Sequence, residues 1–166
     1  MRQLNLLGIT TDGINVYDRP YSHLTEHGDV TPELLKEALA KITQVADNEK
    51  HIVDMGRKIG MTTCVPVTDE DDIVYVIRKK RKGPTPMVRG RKGIDCNKMV
   101  VILKRAVDDE GEYFILITAY IGEGAEPEPW DRRFEVDKTG YDEAVEFWNT
   151  HALVYDPEVV ELRLSA

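Results

Sequence analysis

Cysteine is almost absent from this chain. Cys64 and Cys96 are its two, and neither has a histidine or a second cysteine at ligand spacing. That excludes a disulfide framework and a zinc site, and leaves two idle thiols of the kind a reducing cytoplasm keeps. Long apolar runs are missing as well: no stretch reaches the roughly eighteen uninterrupted apolar residues of a membrane span. The start, MRQLNLLGITTDG, has neither a charged region ahead of an apolar core nor a small-residue cleavage site. The expectation is a cytoplasmic protein with no signal peptide and no membrane partner. Also lacking are a Gly-rich loop running into Lys-Ser/Thr, a nucleophile elbow and an HExxH pair, so P-loop hydrolysis, elbow-type serine hydrolysis and zincin chemistry have no residues to work with. Gly56-Arg-Lys-Ile-Gly60 is only a pair of glycines. No cofactor and no metal are implied.

What is present is enough for one core. With 166 residues, 42% of them apolar, the chain is read as a single domain over 1–166. Its organising stretch is Lys98 to Trp130, where Val100–Leu103 and Phe114–Ile117 are continuous apolar runs rich in β-branched residues. Such runs predict strands covered on both faces. Asp108-Asp109-Glu110-Gly111 predicts the hairpin connection, with Gly111 taking the positive φ that the turn needs. Thr118 and Tyr120, two apart, share one strand face, with Ala119 on the other.

Around this hairpin, Gln3–Thr10, Ile14–Tyr17, Met61–Val67 and Ile73–Ile77 read as further strands, Val159–Leu164 as a terminal strand or a loosely docked tail, while 47–60 stays open between strand and helix. Thr31-Pro32-Glu33 is a helix start: a hydroxyl cap, proline at the first position and an acid in the first turn. Leu35, Leu39, Ile42 and Val45 follow at helical spacing, predicting about fifteen helical residues with Gln44 on the polar side. Thr139–Asp142 opens a second helix that packs Ala144 or Val145, Trp148 and Ala152 inward. Gly83–Asn97, with three glycines and two prolines and no apolar period, reads as a long binding or lid loop.

The formal net charge of −8 hides an asymmetry: residues 78–105 carry +10 and the rest of the chain −18. A basic segment of this kind points to a polyanion partner, and Arg78, Lys79, Lys80, Arg89, Arg91 and Lys98 are its substrate-binding candidates. The competing account is a solvated basic loop that balances acidic surface.

Histidine is also scarce, yet His23 and His27 fall four apart in SHLTEHGD, on one side of a possible helical turn. A metal pair would want a further ligand, so acid–base chemistry is the better reading. Together with Lys104, Arg105, Thr118 and Tyr120 they form a metal-free set suited to cleaving RNA through its own 2′-hydroxyl. One group takes the 2′ proton, another protonates the leaving 5′ oxygen, and cations or hydroxyls stabilise the phosphorane. Lys98, Lys104 or Arg105 would hold the phosphate.

SHLTEHGDVTPELLKEAL, KMVVILKR, ITAYIG with EPEPWD, and EFWNTHALVYD, in that order, resemble the barnase, EndoU, colicin and RelE-like group of small RNases. The likeness is to their phage- and mobile-element-associated branch, and covers about 22–156. It implies an α+β fold, with helices packed on a twisted, mainly antiparallel sheet of four to five strands. It also implies RNA as substrate, an inhibitor or antitoxin protein as a possible partner, and a site made of His23 or His27, Lys104 or Arg105, and Thr118 with Tyr120. Trp148 and His151 match the pattern too, although a core tryptophan and its neighbour account for them equally well. The alternative function is a non-catalytic module that holds an acidic protein or nucleic acid through 78–105.

Overall fold

The computed structural model describes residues 4–19, 30–79 and 81–164, with side chains as far as Val160. His23, His27 and Lys80 lie outside the described residues. The chain divides into two compact units, Met1–Met61 with Asp95–Gly124 and Thr62–Ile94 with Ala125–Ala166. Both are mainly strand, and three short helices occur among the described residues. None of these helices is long and apolar enough to cross a membrane.

The first unit is built on the expected hairpin, β9 (Lys98–Asp108) and β10 (Gly111–Ile121). Only Asp109 and Glu110 stand between the strands, and Gly111 takes φ 108°, the left-handed side that favours glycine. With β1 (Leu6–Ile9), β2 (Asn15–Tyr17) and β3 (Asn48–Asp54) they form a sheet in the order β1-β2-β10-β9-β3. All its ladders are antiparallel except β2 with β10. The open stretch at 47–60 thus becomes the edge strand β3, and two short strands, β4 (Gly60–Thr62) and β8 (Ile94–Cys96), pair with each other.

The helix start at Thr31 is found, but α1 runs only from Pro32 to Leu39. Thr31 Oγ1 accepts from Leu34 N at 3.2 Å, and Leu35, Ala38 and Leu39 join a buried cluster with Val16, Met99, Leu103 and Phe114. The helix stops short because Gln44 has better use elsewhere. Rather than facing water, it is 4% exposed, and its amide donates to the carbonyls of Ala46 (3.0 Å), Asp47 (3.3 Å) and Leu103 (3.1 Å). A helix continued through 44 would leave those buried acceptors bare. Val45, expected inside, is 79% exposed.

In the second unit β5 (Cys64–Pro66), β6 (Asp72–Arg78), β7 (Pro84–Arg89), β11 (His151–Val154) and β12 (Val160–Leu164) make a sheet ordered β12-β6-β7-β11-β5. Much of the predicted 83–97 loop is therefore strand, and Thr85, Pro86, Met87 and Val88 are buried. Its two prolines obscured this. They are tolerated because β11 joins β7 only at Met87 and Val88, beyond both, and the Pro84 carbonyl is taken by Trp130 Nε1 at 2.7 Å. Helix α2 (Arg133–Val136) precedes α3 (Tyr141–Thr150), and Ala152, expected in the second helix, is a fully buried residue of β11.

Gly83 lies under the Trp130 indole: a Cβ there would stand 2.1 Å from Cγ. Gly83→Ala is expected to cost about 2 kcal/mol through overpacking. A urea midpoint equal to that of the unsubstituted protein would show that the indole does not seat on this glycine.

Candidate functional site

The pairing of β10 with β9 decides which side chains can work together. Leu116 stands opposite Leu103, but the next pair is Thr118 with Ile102, so Ile117 is an extra residue bulged out of the ladder. Phe114 and Leu116 face the core, and strict alternation would send Thr118 and Tyr120 there too. The bulge resets the phase: Ala119 and Ile121 enter the core, and Thr118 and Tyr120 turn to the other face. On β9 the core takes Met99, Val101 and Leu103, which leaves Val100, Ile102 and Lys104 on the side of Thr118 and Tyr120.

Two rungs then run across three strands, Lys50–Ile102–Thr118 and Ile52–Val100–Tyr120. Tyr17, opposite Ile115, and Tyr113 meet edge to face on the same side, ring centres 5.7 Å apart. Lys104 is exposed and paired with no acid among the described residues. The face therefore combines three phenols, a hydroxyl and ammonium groups.

Arg105 does not belong to it. Adjacent strand residues point oppositely, and Arg105 lies on the core side, its guanidinium 5.6 Å from the Phe114 ring centre, paired with Glu112 and with Asp47 at 3.6 Å.

The basic segment is largely committed to its own chain. Arg78 forms an ion pair with Glu128, which is 7% exposed. Thr85 Oγ1 (2.6 Å) and Trp130 Nε1 (2.8 Å) donate to the other Glu128 oxygen, and Arg78 Nε donates to Thr85 Oγ1 at 3.2 Å. The role of EPEPW is thus to seat a buried carboxylate with all its donors. Arg89 pairs with Asp72 (2.8 Å), Arg91 with Asp71 (3.2 Å) and Lys98 with Glu123 (3.3 Å). Lys79 is exposed.

His151 and Trp148 serve the second unit's helix end. The His151 ring stacks on Phe147 with centres 4.1 Å apart, and its Nδ1 lies 3.0 Å from the Phe147 carbonyl. Trp148 Nε1 donates to Glu126 O at 3.0 Å. Both cysteines are free thiols, and burial, followed by the nearby Glu128 charge, pushes Cys64 up to about 11, so it stays protonated and inert. Among the described residues the acidic group close enough to share an ion is the hairpin turn Asp108-Asp109-Glu110, which is ordinary for an exposed turn.

A further histidine escaped the sequence. His51, on edge strand β3, places Nε2 3.0 Å from Gln44 Oε1 and 3.4 Å from Glu49 Oε2. Glu49 is held below the usual carboxylate range, first by the Ala46 backbone N–H, so both neighbours are acceptors and Nε2 must carry the proton. The ring borders a groove of about 520 Å³ lined by Lys41, Ile42 and Thr43 on one side and residues 50–54 on the other. Nothing in the sequence marks this pair, because Gln44 is fixed by carbonyls up to 59 residues away. No protein-family model, curated protein or solved structure matches the chain.

Two outcomes test this geometry. Arg78→Ala strands the buried Glu128 charge and is expected to cost about 3–5 kcal/mol in urea unfolding. A cost within the range of an exposed pair would show that the network is not closed. Burial lowers the His51 pKa against the opposing pull of Glu49. Folding therefore favours the neutral ring, and this contribution is whole above the unfolded value of about 6.5 and lost as pH falls toward the folded value. His51→Gln should flatten the fall in urea midpoint between about pH 7 and 5, and an unchanged slope would contradict the burial.

Proposed function

We propose that the chain is a metal-independent endoribonuclease that holds single-stranded RNA across the second face of the first sheet. The observation that carries the proposal is the bulge at Ile117, through which Lys104, Thr118 and Tyr120 share one face. Lys104 contacts backbone phosphate, with Thr118 and Tyr120 on the same face. Tyr17 and Tyr113 offer aromatic surface on which unpaired bases stack. Cleavage follows from the RNA's own 2′-hydroxyl, giving a 2′,3′-cyclic phosphate and a free 5′-hydroxyl, and needs an imidazole for proton transfer. His23 and His27 are the sequence candidates for that group.

Further support comes from the resemblance of the sequence to small RNases. The fold on this reading is α+β, helices packed on largely antiparallel sheets, acting in a reducing cytoplasm where both cysteines stay thiols. An inhibitor protein would act by covering the same face. The alternative, binding through 78–105, is less well supported, since Arg78, Arg89, Arg91, Lys98 and Arg105 already hold acids of their own chain.

The test is cleavage of a single-stranded RNA in EDTA. Lys104→Ala is expected to lower kcat/KM roughly hundredfold, the usual scale for removing one group that stabilises developing charge, with little effect on stability. Cleavage that requires added metal would reject the mechanism. Activity unchanged in Lys104→Ala would reject the face. RNA that is bound and never cut would leave a holding function only.

A further inference from the structure

The two rungs that cross the proposed RNA face end on β3, where Gly124 packs against the Ile52 and Lys50 side chains. Lys50 and Ile52, their last members on β3, also line the groove that His51 borders. At about 4.8 Å per strand, Tyr120 and Thr118 on β10 stand only about 10 Å from those edge residues. Among the described residues β3 is the last strand of its sheet. Met55 N donates to Asn97 O and Arg105 N to Asp47 O, so the odd residues of this stretch bond β9, and the backbone groups of Ile52 and Asp54 point the other way.

Within the groove the chemistry is asymmetric. Lys41 carries an exposed ammonium with no ion pair among the described residues, while the Thr43 hydroxyl is spent on Thr11 Oγ1, which itself donates to Ile42 O. The ammonium suits an anion. His51 differs from both: with Nε2–H given to Gln44 and Glu49, the lone pair of the neutral ring sits on Nδ1. Among the described residues that nitrogen has no hydrogen-bond partner, and the ring lines the groove. Gln44 cannot turn away, because its amide nitrogen is held by three carbonyls. A fixed acceptor beside an ammonium group matches a ligand carrying an anion next to a hydroxyl donor.

We propose that the groove binds a ribose phosphate and that His51 Nδ1 takes the proton of its 2′-hydroxyl. The assignment rests on the ribonuclease reading. In the step, the 2′-oxygen bonds to phosphorus as its proton passes to Nδ1. The bond from phosphorus to the 5′-oxygen breaks, and that oxygen leaves with a proton from water. The hydroxide so formed removes the proton from the imidazolium, and the ring returns to its starting form. Glu49 on one side of the ring supports the imidazolium, while Lys41 holds the phosphate, with Asp54 at the far end of the groove.

The experiment uses the full chain and a single-stranded RNA in EDTA, with the 2′-deoxy analogue as a binding control. His51→Gln is expected to slow cleavage roughly hundredfold with binding of the analogue unchanged, and Lys41→Ala is expected to raise KM. A folded His51→Gln protein that cuts at the unsubstituted rate overturns the assignment and leaves the ribonuclease reading standing. If the unsubstituted protein cuts no RNA, that reading fails, and NMR of the His51 ring decides the groove. A shift of Nδ1 with adenosine 3′-monophosphate and none with its 2′-deoxy form supports the site, and no shift with either overturns it. The NMR arm and Lys41→Ala also decide the matter should His51→Gln not fold.

Discussion

A strand has two faces and a period of two, and one additional residue reverses everything beyond it. In the first unit that residue is Ile117. Up to Leu116 the even positions of β10 fill the core, and after it the odd ones do, so the apolar requirement is met by Ala119 and Ile121. Without the bulge, a hydroxyl and a phenol would be forced into a cluster of Met99, Val101 and Leu103, at the cost of burying polar groups among apolar neighbours. The shift also lines up Lys50–Ile102–Thr118 and Ile52–Val100–Tyr120 as two rungs of the second face.

The second unit resolves a different constraint. A carboxylate at 7% exposure is unfavourable unless every oxygen is answered, and Glu128 receives donors from Arg78, Thr85 and Trp130. These three come from β6, β7 and the connection after β10, so the network ties the 126–130 segment to two neighbouring strands. Arg78 is committed by this arrangement and has little left for a ligand. Arg89 and Arg91 are matched by Asp72 and Asp71 around the start of β6. Such exposed pairs contribute little to stability, but they cancel the field that a run of cations would otherwise present.

What was legible followed from local rules. The hairpin is visible because covered strands need unbroken apolar runs, and the start of α1 because Thr31-Pro32-Glu33 meets three separate needs of a helix N-terminus. The shared face of Thr118 and Tyr120 follows from their spacing alone. What was hidden depends on partners distant in the chain. Gln44 looked like a solvent-facing helix residue because nothing nearby announces Leu103 O, and the length of α1 was misjudged with it. Pro84 and Pro86 made β7 resemble a loop, since only the late arrival of β11 makes room for them. Listing Lys104 and Arg105 together overlooked that neighbours on a strand point apart, and their roles divide accordingly.

Acidity and an RNA substrate are compatible on these terms. Affinity for single strands comes from a few phosphate contacts plus stacking, not from net charge, and stacking of one base on an aromatic ring contributes about 1–3 kcal/mol. The first unit concentrates what is needed: tyrosines 17, 113 and 120 with Lys104 and Lys50 on one face, and Lys41 in the adjoining groove. Three acids of this unit are already engaged, Glu112 and Asp47 with Arg105, and Glu49 with the Val45 and Ala46 backbone. A chain of net charge −8 can therefore keep a locally cationic aromatic surface while its remaining acids repel polyanions elsewhere. On the proposed function that repulsion confines nucleic acid to one face, and the groove at the β3 edge adds a neutral imidazole with a fixed tautomer.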